Sequence, residues 1–143
     1  MNKWDKRFFD MAKLVASWSR DPSTQVGAVI VDDKNRIVSV GFNGAPRGVS
    51  DEQLADRDRK LRRTIHAEKN AILFANRSLE GCTIYITHPP CAQCAAVIIQ
   101  SGIKEVMWPI ASPEFLLRWE LDYNEAVGMF IDAGVQFETC LEV

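Results

Sequence analysis

A rhythm constrains this chain more than any other feature: short β-branched runs alternate with segments of helical period, and turn formers mark each change. Val26 to Val31 (VGAVIV) and Arg36 to Phe42 (RIVSVGF), joined by the polar turn Asp32-Asp33-Lys34-Asn35, predict a β-hairpin. Thr83 to Thr87 (TIYIT) and Ile103 to Trp108 predict two further strands, and a short fifth starts at Val135. Helical segments fill the intervals: His66 to Asn76, Cys91 to Ser101 with Gly102 as its stop, and a long one from Pro113 to about Ala133, stopped by Gly134. The order hairpin, helix, strand, helix, strand, helix, strand implies an α/β domain with three α/β/α layers around a mixed five-stranded sheet. Each strand–helix–strand passage implies a right-handed crossover between parallel neighbours.

Ahead of the hairpin, Trp4, Phe8, Met11, Val15 and Trp18 recur at spacings of three and four. They predict an amphipathic first helix with these residues in the core, ended by Asp21-Pro22. Asn43 to Gly48 is too rich in turn formers for a regular element, and the charged stretch Asp51 to Arg63 reads as a solvated helix or ordered loop. With 143 residues and no linker, repeat or low-complexity stretch, residues 1–143 are expected to form a single domain.

Seventeen Lys+Arg against nineteen Asp+Glu leave a formal charge of −2. No global positive field gathers phosphate backbones, so long nucleic acid is not an expected partner. The N-terminal stretch is broken by charges and lacks the apolar region of a secretion signal, and no apolar run has the length of a membrane span. A cytoplasmic protein without a membrane partner is expected. In a reducing compartment, closely spaced cysteines point to metal or catalysis rather than to a disulfide.

Two motifs carry chemistry: His66-Ala67-Glu68 opens one helix and Pro90-Cys91-Ala92-Gln93-Cys94 opens the next. A lone Cys-x-x-Cys would also suit a thioredoxin-like redox pair, but that fold expects no His-x-Glu on a second helix. The i, i+3 spacing puts Cys91 and Cys94 on one face of a first turn, where the helix dipole favours thiolates. One imidazole and two thiolates suit Zn2+, and three protein ligands leave the fourth position open, which marks a catalytic site. Cys82 and Cys140, beside apolar strands, read as small buried hydrophobes and not as a fourth ligand. Two thiolates make the zinc a weaker acidifier of water, so a nearby proton acceptor is needed, and Glu68 is the candidate.

The pattern His-x-Glu followed by Pro-Cys-x-x-Cys is a nucleobase deaminase signature. With Asp21 to Val31 (DPSTQVGAVIV), Gly41-Phe42-Asn43-Gly44, Pro46-Arg47-Gly48 and His66 to Ile72 (HAEKNAI), most of the chain resembles the cytidine/deoxycytidylate zinc deaminase family. The flanking stretches are most similar to members acting on dCMP. The resemblance implies a cytidine-deaminase-like fold and hydrolytic deamination at C4 of cytosine, yielding dUMP and ammonia. In that chemistry Glu68 protonates N3 and assists the leaving amine, while Asn43 reaches the sugar 3′-hydroxyl. Family members are commonly homohexamers switched on by dCTP and off by dTTP, so a homo-oligomer and these effectors are expected, the loop 41–44 resembling the region tied to that control.

Other contacts are read from the residues. The N–H groups of Ala67 and Cys91, at helix N-termini, are candidate partners of the base oxygen and the developing intermediate, with the carbonyls near His88 and Pro89 facing the departing amine. Ser23 and Thr24 offer hydroxyls and free N–H groups to a 5′-phosphate, or are simply polar residues at a helix exit. Arg20, Arg47 and the arginines from Arg57 to Arg63 are phosphate candidates that sequence does not rank. His88 reads as a loop histidine that can also wall the base pocket, and Tyr123 as a packed aromatic. A tRNA adenosine deaminase shares the zinc ligands and shuttle but wants a basic face. A nucleoside-level cytidine deaminase needs no phosphate site, and a non-catalytic zinc-stabilised module need not keep Glu68.

Overall fold

The computed structural model describes residues 1–140, the side chains of 53 and 54 excepted. Helix α1 (Lys3–Ala16) is followed by the hairpin β1 (Gly27–Val31) and β2 (Ile37–Phe42). A short 3-10 turn (Asp51–Ala55) leads to α2 (Arg57–Arg63) and α3 (Ala67–Phe74). Then β3 (Thr83–Ile86), α4 (Ala92–Gln100), β4 (Glu105–Pro109), α5 (Pro113–Ala133) and β5 (Gln136–Cys140) follow among the described residues. The sheet order is β2-β1-β3-β4-β5. The β1 pairings are antiparallel, whereas β3–β4 and β4–β5 are parallel, giving the mixed five-stranded sheet expected.

One passage departs from expectation. The chain leaving β2 through α2 and α3 does not return to a neighbouring strand, because β1 lies between β2 and β3. A hairpin partner already occupies the inner edge of β2, so the crossover must pass over it.

Strand alternation divides the core into two faces. Ala28, Ile30, Ile84, Ile86, Val106 and Trp108 pack against α3, α4 and α5, while Val29, Val31, Tyr85 and Met107 face α1. Three layers result, with α1 alone on its side. The buried stripe of α1 is Phe8, Phe9, Ala12, Val15 and Ala16. Of the aromatics expected in the core, Trp4 stacks on Phe8 at the rim and Trp18 is 52% exposed. The helix stops at Ala16, well before Asp21-Pro22, so Trp18 falls past the end of the periodic stripe.

Glycine sets the spacing that matters for the site. A Cβ on Gly41 would run into the backbone of α3 at Ala67 and Ala71. The missing side chain lets α3 lie directly on β2, and α3 opens on His66 and Glu68.

Candidate active site

The N-termini of α3 and α4 meet at one end of the sheet. His66 is the N-cap of α3 and Cys91 the N-cap of α4, with Cys94 on the first turn above it. His66 Nδ1 stands 3.2 Å from Cys94 Sγ and 3.5 Å from Cys91 Sγ. One donor atom from each residue lies within 4.8 Å of the others. A tetrahedral zinc with ordinary bond lengths separates its imidazole nitrogen and thiolate sulfurs by about 3.5 Å, so the donors already stand at nearly the right spacing. A hydrogen bond from Cys94 holds Cys91 down to about 4, His66 assisting, while Cys94 is pushed up by that bond and by burial. A soft dication bound between them favours both sulfurs as thiolates.

Cys82 and Cys140 are buried at opposite ends of parallel strands, their thiols pushed up by burial, and join no metal cluster among the described residues. Three ligands therefore leave a coordination position open. Glu68, 4% exposed, lies one residue inside α3. Burial holds its carboxyl above the usual carboxylate range, against the pull of its own backbone N–H and of His66. A carboxyl so poised can both take and return a proton.

A cavity of about 670 Å³ opens on this centre. Ala67, His88 and Pro89 lie near the metal ligands, and Asp21, Ser23, Thr24, Asn43 and Lys60 line another part of its wall. His88 Nδ1 pairs with the Pro89 carbonyl at 3.1 Å and its ring meets Phe115 edge-on at 5.1 Å, while burial lowers its pKa. It is both the packed loop histidine and a wall of the cavity. Tyr123 packs on Trp108, accepting from its Nε1 at 3.2 Å.

Several residues expected to contact substrate also hold the local structure. The Asn43 amide clips the strand entrance, Oδ1 accepting from Val26 N–H at 2.8 Å and Nδ2 donating to the Thr24 carbonyl at 2.9 Å. The N–H groups of Ser23 and Thr24 are not free, because both donate to Asp21 Oδ1 at 2.8 and 3.0 Å. Burial works to raise the Asp21 pKa, but these bonds, with help from Lys60, hold it below the usual range. Lys60 Nζ lies 2.6 Å from Ser23 Oγ and 3.2 Å from Asp21 Oδ1.

Among the basic candidates, Arg20 is tied to Asp51 at 3.0 Å on the surface and Arg47 lies outside the cavity lining, whereas Arg57 and Arg62 line it. Sequence reasoning missed Lys60, hidden in a run that reads as a solvated face. It also missed Phe115, Arg118, Trp119 and Asp122, one face of α5 turned to the cavity. Their i, i+3, i+4, i+7 spacing was the only signal, and a core-packing stripe shows the same one.

A His-Cys-Cys cluster with metal-ligand spacing, a buried carboxyl beside it and an α/β/α sheet are the features of a zinc-dependent hydrolytic deaminase. Residues 2–109 match the cytidine and deoxycytidylate deaminase zinc-binding region, and the chain belongs to that family. It is 58% identical over 137 residues to the uncharacterized deaminase of the luxG 3′ region of Aliivibrio fischeri, covering 95% of this chain and 92% of that one. Human deoxycytidylate deaminase is 44% identical over 146 residues, covering 94% and 78%. The dCMP deaminase of cyanophage S-TIM5 shares the fold with a TM-score of 0.73 at 23% identity, over 98% of this chain and 100% of that one. Among the described residues no helix is long and apolar enough to cross a membrane.

Proposed function

We propose that this enzyme converts dCMP to dUMP and ammonia, supplying the deoxyuridylate from which dTMP is made, and that residues 1–143 act as one catalytic domain. The observation that carries the reading is the meeting, in one cavity, of a His-Cys-Cys centre, a buried carboxyl and a cationic wall. The kinship to deoxycytidylate deaminases supports the choice of nucleotide.

His66, Cys91 and Cys94 hold the zinc, which when bound supplies a Lewis acid that acidifies water. Glu68 takes the proton from the attacking water and delivers it to N3 of the cytosine, then takes the remaining proton of the new C4 hydroxyl and passes it to the amine nitrogen as the C4–N4 bond breaks, the C4 carbonyl forms and ammonia leaves. Its buried setting favours the protonated form, which eases return of the proton to the substrate. The N–H groups of Ala67 and Cys91 receive the base oxygen and the charge that develops at the reacting carbon. Lys60, with Ser23, Thr24, Arg57 and Arg62 nearby, meets the 5′-phosphate, while Asn43 both pins the loop and faces the sugar.

Ammonia release measured across cytidine, deoxycytidine, dCMP, CMP and dCTP tests this reading. A preference for dCMP over deoxycytidine by more than about 10²-fold is expected from two or three charge-assisted phosphate contacts. Equal turnover of the two refutes the phosphate site. The proposal includes a homo-oligomer, a hexamer by resemblance, with dCTP activating and dTTP inhibiting in the cytoplasm. Light scattering and effector titrations of the same assay test those parts.

A further inference from the structure

Helix α4 brings two metal ligands, yet part of its first turn is held from outside. A helix start leaves backbone donors without intrahelical partners. Cys91, the N-cap, accepts from the Cys94 N–H through its sulfur at 3.4 Å. The Ala92 N–H, between the two ligands, donates instead to Asp122 Oδ2 at 3.0 Å, from a residue thirty positions further along the chain.

Asp122 is well placed to act as an anchor. It lies one turn before Ala126, which is fully buried with Phe130, Ala95 and Ile98 in the core cluster shared by α4 and α5. The packed core thus fixes the stretch of α5 that carries the carboxylate. Asp122 also faces the cavity beside Phe115, Arg118 and Trp119, so one side chain ties the substrate wall to the metal-bearing turn. It falls outside residues 2–109, the stretch that matches the family's zinc-binding region.

We propose that Asp122 is a positioning residue for the metal centre, holding the Cys91–Cys94 turn in the orientation in which both sulfurs converge on His66. The inference rests on these three residues being the zinc ligands. Without the carboxylate, the Ala92 N–H turns to water and the first turn of α4 loses its outer restraint, so the sulfurs must be ordered by the metal itself. Outer contacts that orient ligands typically change metal affinity by about 10–100-fold.

The test is zinc affinity, measured by competition with a chromophoric chelator on wild type, Asp122→Ala and Asp122→Asn. Thiolate-to-cobalt absorption of the Co2+-substituted proteins serves as a signature of the coordination. Asp122→Ala is expected to bind zinc at least about tenfold more weakly, with altered cobalt absorption. Asp122→Asn keeps an oxygen acceptor for Ala92 and is expected to recover most of the loss. Zinc held by Asp122→Ala as tightly as by wild type overturns the proposal, as does an Asn variant as weak as the Ala one, since charge and not position would then be at work. Wild type that binds no zinc instead refutes the ligand assignment. If Asp122→Ala fails to fold, amide exchange at Ala92 in the zinc-loaded wild type decides: slow exchange is expected, and exchange at the rate of a free amide overturns the proposal.

Discussion

Asn43→Ala separates a scaffold role from a sugar-reading one. Asn43 is 6% exposed, and its truncation orphans the Val26 N–H and the Thr24 carbonyl, bonded at 2.8 and 2.9 Å. Leaving a buried polar group without its partner costs about 1–3 kcal/mol. Val26 is half-buried and Thr24 exposed, which places each loss at the lower end, for a total of about 2 kcal/mol. For a chain of this size that corresponds to a fall in Tm of about 6–8 °C. Differential scanning fluorimetry of the zinc-loaded protein reads the shift, with ammonia release from dCMP and deoxycytidine in parallel. Asn43→Asp is not expected to rescue, because it sets a carboxylate oxygen against the Thr24 carbonyl and near Asp21. A Tm change under about 2 °C together with lost activity on both substrates refutes the scaffold argument and leaves only the sugar contact.

Cys91→Ser should lose zinc and lower Tm, since metal binding contributes to folding at such sites, and a fully loaded, stable variant removes Cys91 from the ligand set. Gly41→Ala forces a methyl group into the α3 backbone and should cost about 1–3 kcal/mol while weakening zinc binding through the displaced His66, both readable by denaturation and metal titration. Thr64→Val removes a buried hydroxyl for which no partner is found among the described residues, so Tm should hold or rise, and a clear drop contradicts this. Asp32 is held down to about 2, chiefly by the Arg36 backbone N–H, with Lys34 N–H and the Arg36 guanidinium assisting. Its folded pKa lies below its unfolded value, so its contribution to stability is complete above about pH 4 and fades as pH falls toward 2. Urea denaturation of wild type and Asp32→Asn from pH 6 to 3 should show their difference constant at the upper end and shrinking at the lower; a flat difference contradicts the shift.

What sequence makes legible is local chemistry. Continuous apolar runs marked β1, β3 and β4 because burial on both faces demands them, and Cys-x-x-Cys with His-x-Glu pointed to the cluster that His66, Cys91 and Cys94 form because i, i+3 spacing fixes a helix face. Global placement was less legible. Nothing in VGAVIV shows that β1 would separate β2 from β3. The spacing of Trp4 and Trp18 looked like core, but a helix that ends at Ala16 leaves Trp18 outside the stripe. Lys60 sits among residues that mostly face solvent, and only the return of the Asp21 loop buries it. Asp122 was invisible for the same reason: a carboxylate on an amphipathic helix acquires its partner only when α5 packs along α4.

The central claim is that Glu68 moves the proton at a zinc centre it does not help to hold. Ammonia release from dCMP by Glu68→Gln, with zinc per chain measured on the same sample, tests it most directly. The variant should fold, carry one zinc per chain, and release ammonia at least about 10²-fold more slowly than wild type. Turnover near the wild-type rate with zinc in place contradicts the account.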